Sequence, residues 1–415
     1  MHIAYVCGDR GVPIGGTKGA SVHVRSLSQA LAARHRVSLL AANPGGGPLD
    51  GFTPEVHDVG YDATLKRLKR RLAAGRPAGT ESREIYALLL GHRIYRRLDE
   101  IHRARAIDAV YERHSLWSWA ALAFAREAGV PHVLEVNAPL VREQATYRKL
   151  AMSGVARACE SELVSGADVV VVPSEALARH ARRLGARRAA VHVLPNAVDA
   201  ALFSAPPALP ARERGPLEGR FVVAFAGSLK AWHGIEVLLD AFRRLLSSTP
   251  RAHLLVLGDG PLRAKVEEAA SELGGERVTA PGAVPHEAVP RWLAHAHAGV
   301  APYLRQEEFY FSPLKVVEYQ AAGLPVVASD QGHIRRQVAD LVTGILVPPG
   351  DPIRLAEALE RLARQPALAR RIGRQARARV LAGSTWERVA ARVESLVLAR
   401  VAAPRLRLAV GRSGA

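Results

Sequence analysis

Residues 309–329 read "FYFSPLKVVEYQAAGLPVVAS". Ser312, Pro313, Leu314 and Lys315 look like a helix start, with one acid, Glu318, just inside. Ser312 is a good N-cap, and Pro313 at the first helical position loses nothing by lacking an N–H. Gly323 and Pro325 end the helix. The free N–H groups of Leu314 and Lys315 then point at whatever lies beyond its start. The helix dipole and the Lys315 ammonium make that spot a phosphate site. Glu318 falls roughly 7 Å further along the axis, at 1.5 Å per residue. A carboxylate there can accept two hydrogen bonds from a vicinal diol. A diphosphate at the helix end and a ribose beside the acid describe a nucleoside diphosphate. A surface helix with a solvated Glu and Lys is the competing reading of the same residues.

The elements that would position these groups alternate strand and helix. "HIAYVC" is an apolar run before a glycine-rich loop, followed by a helical stretch, "SVHVRSLSQALAAR", and further strands at "HRVSLLAAN", "IDAVYERHS", "VPHVLEVN", "ADVVVVPS" and "AAVHVLPNAVD". A Pro-rich stretch at 204–220 marks a linker. The pattern restarts at "FVVAFAGSLK" and runs through "AHLLVLGDG", "RVTAPGAV" and "AGVAPY" to the stretch quoted first. This predicts an α/β protein with two Rossmann-like domains, since alternating strands and helices give parallel sheets covered on both faces. The expected bounds are 1–203 for the first domain, 221–383 for the second, a final helix at about 384–402 returning to the first, and a basic tail at 403–415. Ligands of such sheets bind outside the carboxyl ends of the strands, which places the site in the cleft between domains. A dinucleotide site would need G-x-G-x-x-G directly between first strand and helix, and "CGDRGVPIGGTKG" lacks that spacing.

"SPLKVVEYQAAGLPVVAS" resembles the nucleotide-sugar motif of the family-4 retaining GT-B glycosyltransferases, two glutamates separated by seven residues. Glu318 matches the second. The first position is Tyr310, a departure, and Glu307 and Glu308 lie close enough to substitute. "AGSLKAWHG" (226–234) stands where the family has Gly-Arg-x(4)-Lys-Gly, the pair that neutralises the donor diphosphate. Ser228 and His233 occupy those positions with Lys230 between them. The resemblance implies that Lys230 takes most of the phosphate role and that Ser228 and His233 donate hydrogen bonds. A solvated cation after a strand is the plainer reading of Lys230. "LGDGPL" (257–262), with Gly258, resembles the loop bordering the nucleobase, and backbone near Ala283 and Val284 would read the base edge. "LPNAVD" (194–199) resembles the family hinge, and "STWERVAARV" the helix that crosses back. The match runs in family order over nearly the whole chain. It implies a GT-B fold, retention at the anomeric carbon, a nucleotide-sugar donor and no essential metal or other cofactor.

In the first half the loop "IGGTKGAS" resembles the family's glycine-rich loop. Gly15 and Gly16 would let backbone N–H groups approach the donor, and Lys18 would add charge. "VYERHSLWSW" ends a strand where many members place a histidine beside the sugar. Alignment puts Arg113 there, with His114 as the second candidate. Glu135 and Asn137 end the next strand and would line the acceptor side. Each could instead be an ordinary strand-end polar residue.

The 415 residues carry a net charge of +18, which favours anionic partners. Lysine occurs at only seven positions, 18, 66, 69, 149, 230, 265 and 315, so the rest of the positive charge is arginine. The segment 65–76, "LKRLKRRLAAGR", sets Leu65, Leu68 and Leu72 against Lys66, Arg67, Lys69, Arg70 and Arg71. It reads as a basic amphipathic helix that would rest on an anionic membrane surface or simply cover the core. The expected acceptor is a glycan or a lipid-linked molecule. No RNA- or DNA-binding module is recognisable, so nucleic acid is not expected. No run of 18 apolar residues exists, the N-terminus reads as a core strand, and the two cysteines, Cys7 and Cys159, make no disulfide framework or zinc site. Those features point to the cytoplasm, peripherally on the inner face of the membrane. The alternatives are a degenerate GT-B protein that binds without transfer, and a nucleotide-sugar epimerase-like enzyme.

Overall fold

The computed structural model describes residues 1–73 and 80–402. The expected basic tail and residues 74–76 of the basic stretch lie outside them. Two all-parallel sheets organise the chain. The first holds β1 (His2–Cys7), β2 (Arg36–Ala41), β3 (Glu55–Asp58), β4 (Ala109–Arg113), β5 (His132–Glu135), β6 (Val169–Val172) and β7 (Val191–Val193), in the order β3-β2-β1-β4-β5-β6-β7. The second holds β8 (Phe221–Ala226), β9 (Ala252–Leu257), β10 (Val278–Gly282), β11 (Ala298–Ala301), β12 (Val326–Ser329) and β13 (Gly344–Val347), in the order β10-β9-β8-β11-β12-β13.

Helices cover both faces, so the central strands are buried throughout rather than alternately. All of β1, β6 and β9 is buried. Strand order reverses between β1 and β4 in the first sheet and between β8 and β11 in the second. In open parallel sheets that reversal leaves a crevice at the carboxyl edge, where ligands bind. The register delivers side chains to it: Cys7 is level with Arg113, and Arg113 with Glu135. Two strands were not apparent in the sequence. β3 lies at a sheet edge with no buried residue, and β13 is only four residues long.

The Pro-rich segment does not hang free. It carries a short helix, Ala211–Arg214, and buries Leu209 and Leu217 against the second core. The Trp386–Val401 helix lies on the Gly19–Ala32 helix and buries Trp386, Ala390, Val393, Leu396 and Val397 in the first core. Each such large apolar side chain contributes roughly 1.5–3 kcal/mol relative to exposure. The chain crosses between the sheets twice, at Val198 and at Thr385, and the crossings pair in an isolated bridge. Val198 N–H donates to Ser384 O at 2.9 Å and Trp386 N–H to Val198 O at 3.2 Å.

Candidate functional site

The carboxyl ends of the two sheets face a shared cleft of about 2520 Å³. The Leu314–Ala321 helix begins on its wall. The helix starts one residue later than the sequence suggests: Pro313, not Ser312, holds the N-cap position, and no side chain caps it. Ser312 is occupied elsewhere, its Oγ accepting the Asn196 backbone N–H at 3.1 Å. Leu314 and Lys315 line the cleft. The N-terminus of the Gly19–Ala32 helix faces them, close enough that a Cβ on Gly19 would lie 3.4 Å from Leu314 Cδ1. Two positive helix ends thus converge on one spot.

Lys315 is buried, and its Nζ has no hydrogen-bond partner. It lies over the Phe225 ring at 3.8 Å and the Tyr303 ring at 5.5 Å. Desolvation lowers its pKa to about 7, against the weaker pull of Glu318. A buried ammonium without an acceptor is costly, and an anion beside it would relieve that cost.

Glu318, also buried, accepts a hydrogen bond from His286 Nε2 at 2.8 Å. Burial opposes charge on His286, but the Glu318 hydrogen bond and carboxylate raise its pKa above the ordinary histidine value. The second Glu318 oxygen remains for a ligand hydroxyl. Sequence reading missed His286, because nothing local shows that "VPHEA" meets a helix 32 residues later.

Ser228, Lys230, His233, Gly258 and Val284 all line the second wall. Burial lowers the Lys230 pKa, with Lys18 and then Arg148 adding repulsion. Its Nζ lies 4.8 Å from the Trp232 ring. His233 does not present the hydrogen bond donor expected of it. Its Nδ1 donates to Ser228 O at 2.6 Å, and burial, then Lys315, drop its pKa to about 3. The neutral ring therefore shows Nε2 as an acceptor. Gly258 has φ +153°, and a Cβ there would sit 1.9 Å from Gly227 O. Only glycine lets these two strand-end loops touch.

The first wall corrects three expectations. Gly15 and Gly16 are not among the residues that line the cleft. Their N–H groups donate to Gly45 O and Pro13 O, and a Cβ on Gly15 would meet Gly47 O at 2.5 Å. These glycines pack loop on loop; Thr17, Lys18, Gly19 and Ala20 reach the cleft instead. His114 also stays off the lining. It is buried with its pKa lowered to about 3 by desolvation, then His180 and Arg113. Arg113, the last residue of β4, reaches the cleft instead. Arg113 lines the cleft and pairs with Glu135 at 3.6 Å, an ion pair too long for a hydrogen bond. Burial would lower the Arg113 pKa, but the Glu135 charge, with Tyr5, Cys7 and Asp9 adding to it, raises it overall. Asn137 lines the cleft, whereas Glu135 lies beneath, between Arg113 and His23. Trp117 adopts φ +73° on the same wall, the kind of backbone strain that collects at functional sites.

Several contacts tie the walls together. The Tyr310 hydroxyl donates to Glu143, on the Leu140–Tyr147 helix. Glu308 pairs with Arg142 and, at 3.2 Å, with Arg183. Glu307 lines the cleft. The Tyr147 and Trp232 rings lie 6.0 Å apart across the mouth. Among the described residues no helix is long and apolar enough to cross a membrane.

Comparison with known proteins agrees with this geometry. Residues 18–197 match the model for a glycosyl transferase 4-like domain, and residues 220–365 that for glycosyl transferases group 1. A glycogen synthase of Mycobacterium tuberculosis is 28% identical over 92% of this chain and 91% of its own length. A D-inositol 3-phosphate glycosyltransferase of Frankia alni is 30% identical over 70% of this chain and 73% of its own. Among solved structures, sucrose-phosphate synthase from Thermosynechococcus elongatus superposes with a TM-score of 0.70 at 23% identity, covering 97% of this chain and all of that one. Anabaena HepE in complex with UDP also gives 0.70, at 19% identity over 96% of this chain and 100% of that one. Two parallel sheets facing one cleft, matched by the two family models in order, make this chain a GT-B enzyme of the glycosyl transferases group 1 family.

Proposed function

We propose that the protein transfers a sugar, with retention, from a nucleoside-diphosphate sugar to a glycan or lipid-linked acceptor in bacterial glycan synthesis. The observation that carries this reading is Lys315, a buried cation without an acceptor where two helix N-termini meet. A donor diphosphate supplies the missing anion. The ribose hydroxyls fall to Glu318, whose carboxylate is oriented by His286. As the bond from the anomeric carbon to phosphate breaks, the electron pair passes to the departing diphosphate. Lys315, Lys230 and the helix ends stand ready to hold that charge, and preorganised electrostatics of this kind dominate many enzymes. HepE, which shares this fold, is solved in complex with UDP, and that supports the donor class. Arg113 and Asn137, on the opposite wall, face the sugar and acceptor.

Because protein cations meet the leaving-group charge, catalysis proceeds without an essential metal. Loss of transfer in EDTA, restored by a divalent ion, would refute that. Membrane association rests on the Ala63–Ala73 helix, where Lys66, Arg67 and Leu68 are exposed. Flotation with anionic vesicles at low and high salt tests it. The test of the function itself is melting against UDP, GDP, ADP, TDP and their sugars, for the natural chain and Glu318→Ala. A ligand at a hundredfold excess over its Kd stabilises by about 2.7 kcal/mol. One diphosphate should stabilise the natural chain and the variant much less. No shift with any of them would favour a degenerate binder.

A further inference from the structure

His23, buried on the Gly19–Ala32 helix, lies between two acceptors. Its Nδ1 is 2.8 Å from Asn196 Oδ1. That amide is not free to turn, because Asn196 Nδ2 donates to the Ser312 carbonyl at 2.6 Å. Its oxygen therefore faces His23, and Nδ1 must carry a proton. On the other side Nε2 abuts the Glu135 carboxylate, too close for two facing lone pairs. A proton therefore lies between Nε2 and the carboxylate, alongside the one on Nδ1. Burial would push the Glu135 carboxyl up, but His23 and then Arg113 outweigh it and hold it below its usual value. The remaining groups facing this cluster are Asn137, Tyr5 and Tyr111, beside Glu135, Cys7 and Asp9, beside Arg113, and the Trp386 ring, 4.7 Å from that of His23.

We propose that His23 is a positioning residue that registers the Arg113–Glu135 pair of one wall against Ser312 and the start of the Leu314–Ala321 helix on the other. The chain of contacts runs Arg113, Glu135, His23, Asn196, Ser312 and draws on five separate segments. Asn196 stands two residues before the crossing at Val198. A shift of one half against the other must therefore strain or break this chain. Its kinetic consequence rests on the transferase reading above; its structural content does not.

The first test needs no substrate. Long-range proton–nitrogen NMR spectra of the full histidine-labelled chain at about pH 7.5 read both ring nitrogens of His23. The signal is assigned by its loss in His23→Gln, or by its displacement in Asn196→Asp should the first variant fail to fold. A proton on Nδ1 is expected, and a ring carrying its proton at Nε2 alone overturns the proposal. The second test is kinetic. His23→Gln carries its two N–H groups on one nitrogen and cannot span the two acceptors, and Asn196→Asp keeps an acceptor for His23 while losing the donor to Ser312. Each should cut kcat by about tenfold or more with UDP affinity within about threefold, and the double variant should lose no more than the worse single one. Unchanged kcat, or losses that multiply, overturns the proposal. If the natural chain turns over no UDP-, GDP-, ADP- or TDP-sugar, the transferase reading fails separately, and the spectra still decide the state of His23.

Discussion

The Lys315 ammonium lies 3.8 Å from the centroid of the Phe225 ring and meets no hydrogen-bond acceptor. Desolvation holds its pKa near 7, whereas an unfolded lysine titrates near about 10.4. Between those values the unfolded chain binds the additional proton, so ligand-free stability should rise with pH from about 7 to about 10. Lys315→Met should melt higher than the natural chain at pH 7 and lack that slope, while losing nucleoside diphosphate affinity by about tenfold or more. Melting curves from about pH 6 to 10 check this. Parallel curves for the two proteins would show that another group titrates.

His286 gives the opposite sign. Its pKa is raised by Glu318 despite burial. Its stabilising contribution is complete below about pH 6.5 and disappears as pH climbs through the raised folded value. His286→Gln keeps a donor for Glu318 but cannot titrate. Denaturation at about pH 6 and pH 8.5 should show the natural chain losing stability between the two and the variant losing less. A slope unchanged by the substitution would remove His286 from the account.

Glu308 is engaged by Arg142 and Arg183, and so is not free to take the place of the missing motif acid. Glu308→Gln should leave the donor KM within about twofold and cost about 0–1 kcal/mol of stability, as exposed ion pairs do. A tenfold rise in donor KM would instead identify it as a sugar ligand.

Gly258→Ala should be severely destabilising, by about 4 kcal/mol or more, because the added Cβ has backbone at 1.9 Å and the φ is +153°. Gly154→Ala is the control. A Cβ there meets nothing within 4 Å, and helix propensity favours the change by up to about 1 kcal/mol. Comparable melting of both variants would show that the Gly227–Gly258 approach is not tight in solution.

Much of the architecture was readable because its signals are local. Apolar runs such as Val169–Val172, separated by helical stretches, define buried parallel strands without reference to anything distant. The cleft-facing cluster around Lys315 and Glu318 was readable for a similar reason, since one short helix carries both. The errors arise where the outcome depends on contacts between remote segments. Gly15 and Gly16 look like a phosphate loop until Gly45 and Pro13 take their N–H groups and the 45–47 loop packs against them. Ser312 looks like a cap until Asn196, 116 residues earlier, takes its hydroxyl. His23, His286 and Glu143 carry no local mark, and each acquires its partner only when the two halves come together or a distant turn closes.

The bare Lys315 charge also has a consequence outside chemistry. Any anion that fills its pocket completes the interior of the folded chain and cannot do the same for the unfolded one, so mass action links the folded fraction to the supply of that anion. In a cell whose donor pool runs low, the chain spends more time open to proteases and its abundance falls. The amount of enzyme would then follow the availability of its donor with no dedicated regulator.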